Sequence, residues 1–145
     1  MGCQRAGSID IDMDALFQEA QGAADFAYAP YSSFRVGAAL LAEDGTIFTG
    51  CNVENRSYGL TICAERSALV QGVGRGRRTF IALAVAAPDS PDPVGPCGAC
   101  RQVLSEFMAP EAVVRFGGRG PRRVDTTIGA LYPYDSLHDL AKSLR

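Results

Sequence analysis

Two short stretches carry residues that could do chemistry together: Thr61-Ile62-Cys63-Ala64-Glu65-Arg66 and Pro96-Cys97-Gly98-Ala99-Cys100. Cys63, Cys97 and Cys100 offer three soft thiolate ligands, and Glu65 adds a carboxylate that is not needed as a ligand. Structural zinc sites normally close the tetrahedron with four protein ligands, whereas catalytic sites keep a position for water. Three cysteines and a spare carboxylate therefore predict an open Zn²⁺ centre, with Glu65 carrying protons to and from the reacting groups. The plain alternative is a glutamate that only complements a helix dipole. Three thiolates leave a dication with a net negative charge, which weakens its pull on water. Arg66, the adjacent cation, is the candidate to offset this by donating to a ligand sulfur; an exposed helix arginine is the competing reading.

The cysteines need elements that aim them at one point. Cys63 opens a predicted helix over 63–71, and the Cys97/Cys100 pair opens another over 97–108. Unpaired N–H groups and the positive dipole end at a helix start favour thiolate over thiol, so two helix N-termini meeting suit three sulfurs. Before them, apolar spacing predicts a helix over 12–28, stopped by Pro30. Strands follow at 34–41 and 46–51, joined by a Glu43-Asp44-Gly45 turn, with a polar loop at 52–60. Further strands are expected at 80–87 and 112–116, and a short amphipathic helix at 136–145. Gly72-Val73-Gly74-Arg75-Gly76 follows a helix, so it reads as a loop and not as a dinucleotide fingerprint. It and Arg119-Gly120-Pro121-Arg122-Arg123 are expected to be solvated basic turns, and residues 1–11 a loose leader. This order of elements implies an α/β fold, three-layer α-β-α with a mixed central sheet.

At 145 residues the chain is expected to form one domain, 1–145. A hydrophobic content of 47% with 21% charged residues is ordinary for a globular protein. The net charge of −2 argues against a nucleic-acid partner, which calls for a basic surplus, and leaves a small, weakly charged molecule. No run is apolar and long enough for a membrane span, and no signal core opens the chain, so a cytoplasmic location is expected. Cysteines stay reduced there. Five of them with one C-x-x-C read as metal ligands plus two bystanders, Cys3 and Cys51. A redox C-x-x-C would leave Cys63-x-Glu65 without a purpose. His138, the single histidine, is a weak candidate ligand.

With these features in place, the chain resembles the small zinc-dependent cytidine deaminases over roughly residues 12–107. The resemblance is carried by Ala27-Tyr28-Ala29-Pro30-Tyr31-Ser32-Ser33-Phe34-Arg35-Val36-Gly37-Ala38-Ala39 and Gly50-Cys51-Asn52-Val53-Glu54-Asn55. It continues through Cys63-Ala64-Glu65-Arg66 and Pro96-Cys97-Gly98-Ala99-Cys100-Arg101-Gln102-Val103. Zinc deaminases share a ligand-x-Glu and Pro-Cys-x-x-Cys signature. The resemblance implies one Zn²⁺ per subunit on Cys63, Cys97 and Cys100, Glu65 as acid/base, and a homotetramer. It also implies that Phe34 stacks on the pyrimidine, that Asn52, Val53 and Glu54 read the ribose, and that the Ala64 N–H meets the base carbonyl. Taken alone, Phe34 reads as core and Asn52 with Glu54 as a turn. The implied reaction turns cytidine and deoxycytidine into uridine and deoxyuridine with release of ammonia, a step of pyrimidine salvage. Two departures stand out. Gly95 replaces a common Ser or Thr, and Leu131-Tyr132-Pro133-Tyr134-Asp135-Ser136 has Ser136 where the family carries a pocket Phe. Competing readings are a deaminase of modified nucleosides, and a non-enzymatic protein whose zinc has a fourth protein ligand.

Overall fold

The computed structural model describes residues 3–6 and 9–135. A hairpin of β1 (Cys3–Ala6) and β2 (Ile9–Asp12) begins the chain. This corrects the expectation of a loose leader: Ile11 is almost completely buried beside the first helix. That helix, α1 (Met13–Ala24), is capped by Asp12, whose carboxylate accepts the Ala15 N–H at 3.1 Å. Then come β3 (Gly37–Ala42), β4 (Ile47–Cys51), a 3₁₀ turn (Tyr58–Leu60), α2 (Ala64–Gly74) and β5 (Phe80–Ala86). The chain continues through α3 (Gly98–Ser105), β6 (Met108–Gly117), β7 (Arg123–Thr127) and the short α4 (Ile128–Leu131).

Five strands form one sheet in the order β4-β3-β5-β6-β7. Only β5 and β6 are parallel; α3 lies in the crossover between them, as a parallel pair requires. Alternation along β3 sends Ala38, Leu40 and Ala42 to one face and Ala39 and Leu41 to the other. The first face packs on α2 through Ala64, Ala68 and Leu69 and on α3 through Cys100 and Leu104. The second packs on α1 through Met13, Leu16, Phe17 and Ala20. The three layers and the mixed sheet are therefore as the element order implied.

Several boundaries differ, each for a tertiary reason. Helix α1 stops at Ala24 and not at 28, because the Tyr28 N–H donates to the Asn52 carbonyl at 3.0 Å and its own carbonyl accepts the Glu54 N–H at 2.8 Å. Strand β3 begins at Gly37, since 34–36 are bound mainly by side chains, the Val36 carbonyl alone taking a backbone N–H, that of Asn52 at 3.2 Å. Helix α2 runs through Gly72, read from sequence as loop; a Cβ there would lie 2.7 Å from the Phe80 ring, so this glycine serves packing. Strand β6 starts at Met108, shortening α3, while β7 and α4 had no period strong enough to announce them. Arginines in or directly after the two basic turns are partly tied down. Arg77 pairs with Asp44 at 2.9 Å, and the Arg123 guanidinium lies 4.1 Å from the centre of the Phe17 ring. The helix expected at 136–145, with Ser136 and His138, lies outside the described residues. Among the described residues no helix is long and apolar enough to cross a membrane.

Candidate active site

The three cysteines converge because two helices begin at the same place. Cys63 is the N-cap of α2 and Cys97 the N-cap of α3, while Cys100 sits one turn into α3. Gly50 on β4 lets α2 come this close to the sheet: a Cβ there would lie 2.4 Å from the Ala68 nitrogen and 2.7 Å from the Ala64 carbonyl oxygen. All three sulfurs lie within 4.8 Å of one another. Zinc–sulfur bonds of about 2.3 Å in tetrahedral geometry separate sulfurs by about 3.8 Å. The Cys63 and Cys97 sulfurs are 3.8 Å apart, so the donor set fits that ion. No fourth His, Cys, Asp or Glu joins the group among the described residues. Cys51, on β4, stands apart from it, and burial pushes its thiol pKa up.

Electrostatics at this point favour negative sulfur on the α2 side. Cys63 is lowered to about 5, first by its hydrogen bond with Cys100 and then by Arg66 and Cys97, against a burial that pushes it up. Cys100 moves the opposite way, raised by the same contact with Cys63 and by burial. Between these two the thiolate is favoured at Cys63, and a bound dication would favour negative charge on the sulfurs that ligate it. Arg66 donates from Nη2 to the Cys63 sulfur at 3.4 Å, and its Nε is buried with no hydrogen-bond partner within the described chain. Glu65 is buried, at 4% exposure, and that burial raises its carboxyl pKa. A buried carboxyl with a raised pKa is suited to accept and return a proton. Ala64, wholly buried, is the first residue of α2, where backbone N–H groups have no partner within the helix.

A second cluster is assembled around segment 31–36. Val53 links the halves: its N–H donates to the Ile62 carbonyl at 2.9 Å and its carbonyl accepts the Ile62 N–H at 3.0 Å, one residue ahead of Cys63. Asn52, 8% exposed, donates from Nδ2 to the Phe34 carbonyl and accepts the Val36 N–H at Oδ1, each at 2.8 Å. Glu54 Oε1 accepts the Tyr31 and Ser32 N–H groups at 3.0 and 3.1 Å, and its Oε2 accepts the Ser32 hydroxyl. These bonds, the Ser32 hydroxyl foremost, hold its carboxyl below the ordinary carboxylate range. Phe34 is half-buried at the turn these side chains build. Two open concavities meet at Tyr31 and Glu54, one of about 590 Å³ reaching Tyr28 and Arg56, the other of about 300 Å³ reaching Thr61. Ser32, Asp89 and Arg101 were missed as contributors from sequence. Ser32 and Arg101 stand inside quoted motifs, but their partners are distant. Arg101 spans the carbonyls of Pro96, at 2.7 Å, and Leu131, at 3.0 Å.

The family model for the cytidine and deoxycytidylate deaminase zinc-binding region matches residues 11–116. The chain belongs to this family. It is 50% identical over 123 residues to a cytidine deaminase of Sporosarcina psychrophila, covering 85% of this chain and 90% of that protein. A cytidine deaminase of Halalkalibacterium halodurans is 47% identical over the same length, covering 85% and 92%. The crystal structure of a cytidine deaminase from Burkholderia pseudomallei superposes with a TM-score of 0.81 at 45% identity, covering 86% of this chain and 98% of that one. The fold is cytidine deaminase-like α/β, and the three cysteines are a zinc-binding set.

Proposed function

We propose that residues 1–145 form a single catalytic domain that hydrolytically deaminates free cytidine and deoxycytidine, yielding uridine or deoxyuridine and ammonia. The observation that carries this is a three-sulfur zinc set beside a buried, non-ligating glutamate. Zinc, one per subunit on Cys63, Cys97 and Cys100, supplies Lewis acidity toward water. Glu65 takes both protons of the attacking water in turn, one as the water adds and one from the resulting C4 hydroxyl, and returns one to N3 and one to the departing amine. The C4–O bond forms, the C4–N bond breaks, and ammonia leaves with the proton Glu65 delivers. Arg66 keeps the charge of the sulfurs in check. The Ala64 N–H, at a helix start, receives the base carbonyl.

Phe34 offers its face to the pyrimidine. Asn52, Val53 and Glu54 hold the ribose. Each polar atom of the Asn52 amide has one hydrogen-bonding site beyond those spent on the 31–36 turn, and the Glu54 carboxylate borders both concavities. Tyr58 and Leu60, 75% and 67% exposed beside this cluster, are covered by other subunits of a homotetramer. A cytoplasmic enzyme of pyrimidine salvage is the corresponding role.

The test is ultraviolet loss of cytidine absorbance by wild type and Glu65→Gln at matched zinc content. Turnover is expected to fall about 10²–10⁴-fold in the variant with zinc retained. Zinc-loaded wild type that leaves both cytidine and deoxycytidine untouched overturns the proposal.

A further inference from the structure

Segment 31–36 has no regular secondary structure, and Ser33 within it has a φ of +57°, in the left-handed region that side chains rarely adopt. Such a turn persists only where its surroundings hold it. Most of its peptide groups are held from the side where Asn52 and Glu54 stand, and the Phe34 N–H is bound locally by the Ser32 hydroxyl at 3.0 Å. The Ser33 N–H is likewise held locally, by the Ala29 carbonyl at 3.0 Å, whereas the Arg35 N–H reaches a different loop. It donates at 2.8 Å to Oδ2 of Asp89, which comes from the loop after β5 that runs on to Cys97. The same carboxylate takes the Arg35 side chain in a fork, Nε at 3.0 Å and Nη2 at 2.8 Å.

We propose that Asp89 is a positioning residue for the pyrimidine: by accepting the Arg35 peptide N–H it fixes the Phe34 side chain relative to the cysteine-bearing loop. This rests on the reading of Phe34 as the wall against which the base lies. The peptide bond, not the ion pair, carries the effect. The Arg35 and Asp89 side chains are 43% and 28% exposed, and pairs so wetted contribute little by themselves. The guanidinium instead orients the carboxylate, whose Oδ2 then meets the N–H. Asn52 and Glu54 anchor the turn to the ribose side, and Asp89 anchors it to the zinc side. A turn held from one side only would leave the ring free to swing, weakening binding of ground state and transition state alike.

Steady-state kinetics on cytidine with the zinc-loaded full chain separate these ideas. Asp89→Ala is expected to raise KM about tenfold with kcat and zinc content unchanged, the loss expected when base stacking is forfeited. Asp89→Asn, whose amide oxygen still accepts the N–H, restores most of the affinity. Arg35→Ala keeps its own N–H and shifts KM by under about threefold. Asp89→Glu, a variant that keeps charge and ion pair but displaces the acceptor, raises KM at least about threefold and serves if the alanine variant does not fold. Equal KM shifts in Asp89→Ala and Arg35→Ala, or wild-type KM in Asp89→Glu, overturn the inference. Phe34→Ala distinguishes the two levels. A wild-type KM there removes the stacking reading itself, whereas a raised KM there with none in the Asp89 variants removes only this inference.

Discussion

The two halves of the site are built by opposite means. The sulfur half is regular: two helices start at one point, and their N-terminal geometry brings Cys63, Cys97 and Cys100 within 4.8 Å. The half around Phe34 is irregular, and side chains from two separate segments, 52–54 and the loop with Asp89, hold its backbone. A helix start presents its donors whatever the side chains around it, so the sulfur half depends on how α2 and α3 pack. The Phe34 half depends on individual hydrogen bonds, each of which a single substitution can remove. Perturbing the first should therefore remove the metal and the reaction, while perturbing the second should alter how tightly substrate binds.

The largest effect tests the first half. Cys100→Ser replaces a fully buried sulfur of the donor set with a poor zinc ligand. Zinc measured by atomic absorption is expected to drop below stoichiometric, with turnover down by about 10³-fold or more, as befits loss of the group that activates water. Stoichiometric zinc with near-normal turnover would break the distinction between the halves. Gly50→Ala is intermediate and substitutes none of the functional residues. Its methyl would meet the Ala68 nitrogen and Ala64 carbonyl, forcing α2 off β4. Overpacking of this kind costs about 1–3 kcal/mol, read from denaturant midpoints, and zinc affinity should fall with it. A variant that loses stability but keeps zinc affinity would show that the helix starts are held by something other than this contact.

The smallest effect belongs to the second half and depends on pH. The Arg35 contacts, side chain first and backbone next, lower the Asp89 pKa from its usual 3.8 to about 2, with Arg119 adding to the pull and Asp25 competing for the same arginine. A depressed folded-state value means that the stabilisation is full above the ordinary pKa and is lost as pH falls through the folded one. Wild type should exceed Asp89→Asn in thermal stability at pH 5 and above, with the difference vanishing between about pH 4 and 2. A gap that persists unchanged at the acid end would mean that Asp89 holds the turn without its charge.

The sequence by itself determined the sulfur half almost completely. Cys63-x-Glu65 and Cys97-x-x-Cys100 place ligands and carboxylate by local spacing, and local spacing is what a helix start converts into geometry. It also determined the layers, since the alternation in β3 and the apolar stripe of α1 are short-range patterns. What only the tertiary structure decided is long-range. Strand β7 exists because β6 offers it a ladder, α1 stops early because Asn52 and Glu54 take the peptide groups of Tyr28, and residues 3–6 pair with 9–12 while Ile11 is buried. Asp89 meets Arg35 across 54 positions, and no periodicity reports a single hydrogen bond made over that separation. Regular backbone reads its partners from its neighbours in sequence, whereas an irregular turn takes them from wherever the fold brings a polar side chain.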